Sequence, residues 1–219
     1  MRVVASLLAL ALVLLLAAQP VAAQSKSAHG KLFPPGDLGL LESPDRDLWQ
    51  LPGQIMDALG IAERSVVADV GAGAGWFTIR LARRVGPNGI VYAEDIQPQM
   101  LEATGRRVSK EGLRNVQTVR GTADDPRLPK NTLDAVLLVD IYHELDNPVA
   151  LLRNTAISLK PHGRMGVVQF KKDGLGPGPA LEDRVDPDVI VRDAEAAGLK
   201  LIRRETFLPY QFLLIFARQ

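Results

Sequence analysis

The turn Asp69-Val70-Gly71-Ala72-Gly73-Ala74-Gly75-Trp76 constrains this chain more than any other segment. It follows a short apolar run, Ser65–Val70, and opens a helical pattern, Trp76–Val85, with Phe77, Leu81 and Val85 on one stripe. Three glycines at alternate positions let the backbone turn sharply and let a ligand press against the main chain. A side chain at Gly73 would occupy space that such a ligand needs. A strand that feeds a helix through this turn implies a crevice at the strand's carboxyl end.

The rest of the chain repeats the alternation. Gly86 and Gly89 around Pro87-Asn88 make a turn, and Gly89–Ile96 reads as a second strand. Pro98 opens a helix with Met100, Thr104 and Val108 on one face and Gly112 at its end. Val116–Arg120 and Leu133–Val139 are the third and fourth strands, the latter apolar as suits a strand covered on both faces. Pro148–Leu159 reads as a helix closed by Lys160-Pro161-His162-Gly163, and Arg164–Phe170 as the fifth strand. Lys171–Asp186, with five glycines and prolines between Gly174 and Pro179, reads as a loop, and Pro187–Ala197 as a helix ended by Gly198. Lys200–Phe207 and Gln211–Ala217 finish the chain. Leu208-Pro209 between them is too short for a parallel crossover, so the last strand runs antiparallel. The expected fold is an α/β open sheet of seven strands, mostly parallel, with helices on both faces.

Upstream, Met1 and Arg2 precede an apolar run, Val3–Ala18, and Val21-Ala22-Ala23 follows Gln19-Pro20. A charged start, an apolar core and a small-residue site read as a signal peptide over 1–23, with an uncleaved N-terminal anchor as the alternative. Residues 24–50 read as a linker or lid arm, with Ser25–Ser43 rich in Pro, Gly and small polar residues, and 51–219 as the folded domain. The expected location is secreted or periplasmic; the alternative is attachment to the membrane with the domain in the cytoplasm.

Charge and composition remove several functions. Lys plus Arg total 26 against 25 acidic residues, a net charge of +1, which gives no basic excess for nucleic acid. The absence of cysteine excludes disulfides, thiolate metal sites and cysteine nucleophiles. Three histidines, His29, His143 and His162, are too few and too scattered for a metal site, and none is expected.

The kind of nucleotide follows from the turn. Asp95 ends the second strand, 20 positions after Gly75, where a carboxylate accepts hydrogen bonds from both ribose hydroxyls. Dinucleotide-binding turns carry a small residue where this chain has Trp76, whose indole obstructs close helix-to-strand packing. Asp69 would repel a pyrophosphate and tolerate an ammonium. The turn therefore favours adenosine joined to an amino acid over adenosine joined to a diphosphate.

Val67-Ala68-Asp69-Val70-Gly71-Ala72-Gly73-Ala74-Gly75 resembles the first motif of class I S-adenosylmethionine-dependent methyltransferases, and Val91-Tyr92-Ala93-Glu94-Asp95-Ile96 their second-strand motif. Leu133-Asp134-Ala135-Val136 and Leu159-Lys160-Pro161-His162-Gly163-Arg164 are similar to the family's fourth-strand approach and fifth-strand turn, so the likeness covers about Leu51 to Arg218. The resemblance implies a Rossmann-like fold and S-adenosyl-L-methionine as cofactor. It implies that Asp69 and the turn with Gly71, Ala72, Gly73 and Gly75 face the methionine part. Asp95 would bind the ribose, with Glu94 beside it, and Ile96 would pack on the adenine. In Gly121-Thr122-Ala123-Asp124-Asp125 the acid expected after the glycine is replaced by Thr122, which leaves Asp124 as the choice for the adenine edge.

Val139-Asp140-Ile141-Tyr142-His143-Glu144-Leu145 follows the fourth strand and would open beside the sulfonium. Asp140 could orient the cofactor, His143 could act as general base and Glu144 could orient its imidazole; alternatively His143 and Glu144 cap the following helix. Trp49 could close a lid or cover the sheet, and Arg46 could pair with the cofactor's carboxylate. The expected activity is methyl transfer to a small-molecule nucleophile. The rivals are a non-catalytic nucleoside-binding relic of the same fold and an NAD-dependent oxidoreductase. Export would separate the domain from a cofactor made in the cytosol.

Overall fold

The computed structural model describes residues 32–219, so the apolar segment at 1–23 and the start of the arm lie outside the described residues. Strands β1 (Val66–Val70), β2 (Ile90–Asp95), β3 (Val116–Arg120), β4 (Leu133–Val139), β5 (Leu159–Phe170), β6 (Leu199–Glu205) and β7 (Gln211–Arg218) form one sheet. Its order is β3-β2-β1-β4-β5-β7-β6. Every neighbouring pair is parallel except those of β7, which runs antiparallel to both β5 and β6. This is the seven-stranded, Rossmann-like sheet that the strand–helix alternation implies.

Helices α1 (Arg46–Gln50), α2 (Pro52–Ala58), α3 (Trp76–Val85), α4 (Pro98–Lys110), α5 (Pro148–Ala156) and α6 (Pro187–Ala196) accompany the sheet. Alternation along the strands splits the core into two layers. Val67, Ala135, Leu137, Leu213 and Ile215 pack with Ile55 of α2 and with Phe77 and Leu81 of α3. Ala68, Val70, Val136, Leu138, Leu214 and Phe216 face the other way, onto Leu152 of α5 and Ile190 and Ala194 of α6. Because both faces are covered, β4 and β7 carry almost no polar residues.

Two segments depart from the sequence reading. α5 ends at Ala156, and Leu159–Gly163 belongs to β5 instead of closing the helix. Leu159 pairs with Leu133, and the next registered pair is Ala135 with Arg164, so the extra residues bulge out. Pro161 sits in that bulge, where no ladder hydrogen bond is asked of it. A Cβ at Gly163 would stand 2.8 Å from the Leu133 carbonyl, so glycine permits the close strand contact. In the arm, Pro35–Glu42 forms a 3-10 helix, with Pro35 fixing φ at its first position.

The strand order reverses between β1 and β4, and ligands of such sheets bind outside the carboxyl ends at that switch point. No helix among the described residues is long and apolar enough to cross a membrane.

Candidate functional site

Gly71, Gly73 and Gly75 have φ of +70°, +54° and +78°, a left-handed backbone that disfavours other residues. A Cβ on Gly71 would lie 2.5 Å from Ile141 Cγ2, and one on Gly75 would lie 3.0 Å from Thr104 Oγ1. Thr104 Oγ1 donates to the Gly73 carbonyl at 2.8 Å and fixes the turn from beneath. The turn is also tied to β2. The Gly73 amide donates to Asp95 Oδ2 at 3.0 Å, and the Gly71 amide to Glu94 Oε2 at 3.4 Å. The Gln97 amide donates to Asp95 Oδ1 at 2.8 Å. Each Asp95 oxygen keeps acceptor capacity for a further partner.

Above this turn lies a cavity of about 780 Å³. Asp69, Gly71, Ala72, Gly73, Asp95 and Ile96 line one end, and Asp140, His143 and Glu144 line the wall after β4. Two expected residues are not in its wall. Gly75 is turned onto Thr104. Asp124 is exposed and lines a shallower neighbouring cleft with Ile96 and Gln97, while Thr122 and Ala123 reach the large cavity. The backbone of Asp124 is engaged instead, its carbonyl accepting from Asn154 Nδ2 at 2.8 Å.

The arm forms the roof. Leu32, Phe33, Arg46 and Trp49 line the cavity. The Phe33 amide donates to Glu144 Oε2 at 3.2 Å, and Gln97 Nε2 donates to the Phe33 carbonyl at 3.2 Å. Trp49 therefore does both things its position allows: it packs on Phe170 and Tyr210, with ring centroids 5.8 and 6.4 Å away, and it walls the cavity. Two guanidinium groups lie over Trp76, with Arg46 4.1 Å and Arg80 3.4 Å from its ring centroid.

Buried acids set the electrostatics. Burial pushes Asp69 up to about 6, against the Thr78 hydroxyl, which donates at 2.6 Å, and the charge of Arg46. Burial and the neighbouring Asp95 push Glu94 up to about 8. Burial also raises Asp95, while the Gln97 and Gly73 amides oppose it. Asp140 is raised to about 6 by burial, against Arg46 and two glutamines, and Glu144 to about 7. Asp69 and Asp140, raised only to about 6, are ionised at neutral pH, so the cavity, with one arginine in its wall, suits a cationic ligand and repels a diphosphate.

Asp140 is the most heavily engaged of them. It has φ of +58° at the end of β4, and its carboxylate accepts from Gln211 Nε2 and Gln50 Nε2. Both glutamines are fully buried, and Gln50 Nε2 also donates to Gln211 Oε1 at 3.1 Å. Neither glutamine stands out in the sequence; they meet only because α1 folds back over the start of β7. Burial lowers the pKa of His143, with the Gln169 side chain pulling the other way, so its imidazole is neutral at physiological pH. Glu144 does not orient it: its Oε1 is 3.9 Å from His143 Nε2, beyond hydrogen-bond reach. Successive residues of the 3-10 turn Tyr142–Glu144 point about 120° apart, and Glu144 is spent on the arm. Among the described residues, no group of three or more His, Cys, Asp or Glu is placed to hold a metal ion.

Comparison with known proteins agrees with this geometry. Residues 67–163 match the family model described as a methyltransferase domain. The chain is 34% identical over 128 residues to the ubiquinone/menaquinone biosynthesis C-methyltransferase UbiE of Pasteurella multocida, covering 56% of this chain and 46% of that one. It is 28% identical over 149 residues to UbiE of Proteus mirabilis, covering 64% and 59%. The chain thus spans about half the length of the curated relatives it matches. A solved SAM-dependent methyltransferase from Aquifex aeolicus superposes with a TM-score of 0.80 at 29% identity, over 84% of this chain and 98% of that one. Fold, turn and relatives converge: residues 67–163 match a methyltransferase domain, and the whole sheet is similar to that of a solved SAM-dependent methyltransferase.

Proposed function

We propose that the protein is an S-adenosyl-L-methionine-dependent methyltransferase acting on a small molecule, and that the acceptor atom is carbon. The observation that carries the reading is the shared cavity. One end has the glycine turn and the Asp95 carboxylate, and the wall after β4 brings a neutral imidazole into the same space. A volume of about 780 Å³ accommodates a nucleoside-linked amino acid with a second small molecule beside it. The carbon acceptor is supported by the curated relatives, whose names are those of C-methyltransferases.

The residues fit the cofactor. Asp95, at the carboxyl end of β2 and lining the cavity, would accept from a ribose diol, and Ile96 would lie against the base. Asp69, raised only to about 6, gives the turn an ionised floor for an amino-acid tail and a sulfonium, with Glu94 beside it holding its proton at neutral pH. When bound, the cofactor supplies an electrophilic methyl group. The roof of Phe33, Arg46 and Trp49 keeps water from it, which is most of what a displacement reaction asks of a protein. His143 takes the proton that the acceptor loses. Transfer of labelled methyl groups from the cofactor to a small-molecule extract tests the reading: label must appear in a low-mass product, as a carbon-bound methyl. We further take 1–23 as an export or anchor segment, testable with a topology reporter at the carboxyl end.

A further inference from the structure

The loop Lys171–Asp186 carries a strap of alternating residues, Gly176-Pro177-Gly178-Pro179, whose role the cofactor does not explain. Gly176 and Gly178 have φ of +74° and +116°. A Cβ on Gly176 would run into the Tyr210 ring, and one on Gly178 would lie 2.7 Å from the Phe170 ring. With no side chains there, the backbone lies flat on both rings, and Pro177 and Pro179 line the cavity.

Arg184 holds the strap. It is only 6% exposed, yet among the described residues no carboxylate lies within hydrogen-bond reach, Asp173 standing 3.9 Å away. Its guanidinium donates to the carbonyls of Pro179, Lys171, Leu175 and Pro177 at 3.1, 2.9, 3.0 and 3.3 Å, and lies 5.2 Å from the Phe170 ring centroid. Four carbonyls gathered on one buried cation fix a loop that its glycines would otherwise leave loose.

The result is a slot beyond the cofactor end, walled by Trp49, Phe170, Pro177, Pro179, Pro209 and Tyr210. Its charges are already committed. Lys171 Nζ donates to the carbonyls of Leu208 and Pro209 at 2.8 and 3.0 Å, and Arg184 is used by the strap. The Asp140 oxygens accept from Gln211 and Gln50. Arg46 Nε donates to Gln50 Oε1 at 2.6 Å, and its guanidinium lies 4.1 Å from the Trp76 ring centroid and faces Asp140. An anionic acceptor would find these cations engaged and would face buried acids, and a cationic one would find the Asp140 oxygens occupied. Rings and prolines offer broad, flat apolar surfaces.

We infer that this slot is the methyl-acceptor subsite, that it takes a flat, uncharged, apolar molecule, and that Arg184 is the positioning residue that shapes its wall. The inference rests on the methyltransferase reading for the word acceptor, but not for the ligand chemistry.

The test is calorimetry on the full chain saturated with S-adenosylhomocysteine, using three probes of one shape: 2-naphthol, 2-naphthoate and 2-naphthylmethylammonium. The expected result is that 2-naphthol binds at least about tenfold more tightly than either charged probe. Arg184→Met, Trp49→Ala and Tyr210→Ala should each weaken 2-naphthol about tenfold, and Arg184→Met and Tyr210→Ala should change S-adenosylhomocysteine affinity less than about twofold. Retained S-adenosylhomocysteine binding shows that a variant is folded; if Arg184→Met is not, the two ring variants decide. Equal or tighter binding of a charged probe, or unchanged 2-naphthol binding in both ring variants, overturns the inference. Failure of the unaltered protein to bind S-adenosylhomocysteine would sink the methyltransferase reading instead, and the probe series without it would still report on the slot.

Discussion

The side-chain amide of Gln211 donates to both carboxylate oxygens of Asp140 at 2.8 Å, tying the start of β7 to the end of β4 where the cavity opens. Asp140 holds a left-handed backbone there, with φ of +58°, a conformation that persists only when its surroundings over-determine it. Gln50 completes the clamp from α1, so the same carboxylate anchors the roof. Replacing Gln211→Leu removes two donors from a buried acid and should lower stability by about 1–3 kcal/mol. The loss should be larger at pH 8 than at pH 5, because Asp140, raised to about 6, is ionised only at the higher pH. Urea unfolding at both pH values checks this; equal losses would contradict it.

Asp95 lines the large cavity, where the proposed function gives it the ribose, and Asp124 is turned away from that cavity. Asp95→Ala should weaken S-adenosylhomocysteine binding by about 1–3 kcal/mol, the usual loss of a charged acceptor. Asp124→Ala should leave affinity within about twofold. Calorimetry on the two variants separates the roles, and a reversed pattern would refute this placement.

Glu94 bears on stability as well as on the site. Burial raises its pKa to about 8 in the folded chain, from an ordinary value near 4.5 when unfolded. A group raised in this way lends its full stability below the unfolded pKa and loses it as pH climbs through the folded one. Stability of the ligand-free protein should therefore fall between about pH 4.5 and 8 on account of this group. Glu94→Gln, which has nothing to ionise, should flatten that fall, so the melting-temperature difference between variant and parent should grow with pH. A constant difference would show that Glu94 does not titrate in this range.

His143 is kept neutral by burial, ready to receive a proton. His143→Gln should reduce kcat by about two to four orders of magnitude, the usual share of a general base, with cofactor affinity nearly unchanged. Activity of the parent should hold to lower pH than an exposed histidine would allow, since burial depresses the pKa. Loss of cofactor binding in the variant would mean that His143 serves the cofactor and not the acceptor.

Much of the fold is legible in the sequence because it is written in short-range pattern. The glycine turn, the apolar run of β4 and the short link before β7, which is five residues, 206–210, each fix a local geometry with one consequence for topology. The β5 bulge is less legible, since Lys160-Pro161-His162-Gly163 carries turn signals that a strand pairing overrides. The site divides in the same way. Asp69, Gly73, Asp95 and Asp140 sit at strand ends whose positions the alternation gives. Gln50 and Gln211 are 161 positions apart and meet only through packing, and Arg184 finds its carbonyls through a loop that composition marks only as irregular. Asp124 shows the opposite failure: an acid near the expected place, carried outside the cavity by the path of the loop after Gly121.

The central claim is that the turn Gly71–Gly75 receives a nucleoside bearing an amino acid and rejects a dinucleotide. Calorimetry of the unliganded protein with S-adenosylhomocysteine and with NAD, side by side, tests it most directly. S-adenosylhomocysteine should bind in the micromolar range or tighter, more weakly in Asp95→Ala, and NAD should give no measurable heat. Micromolar binding of NAD with no response to S-adenosylhomocysteine would contradict it.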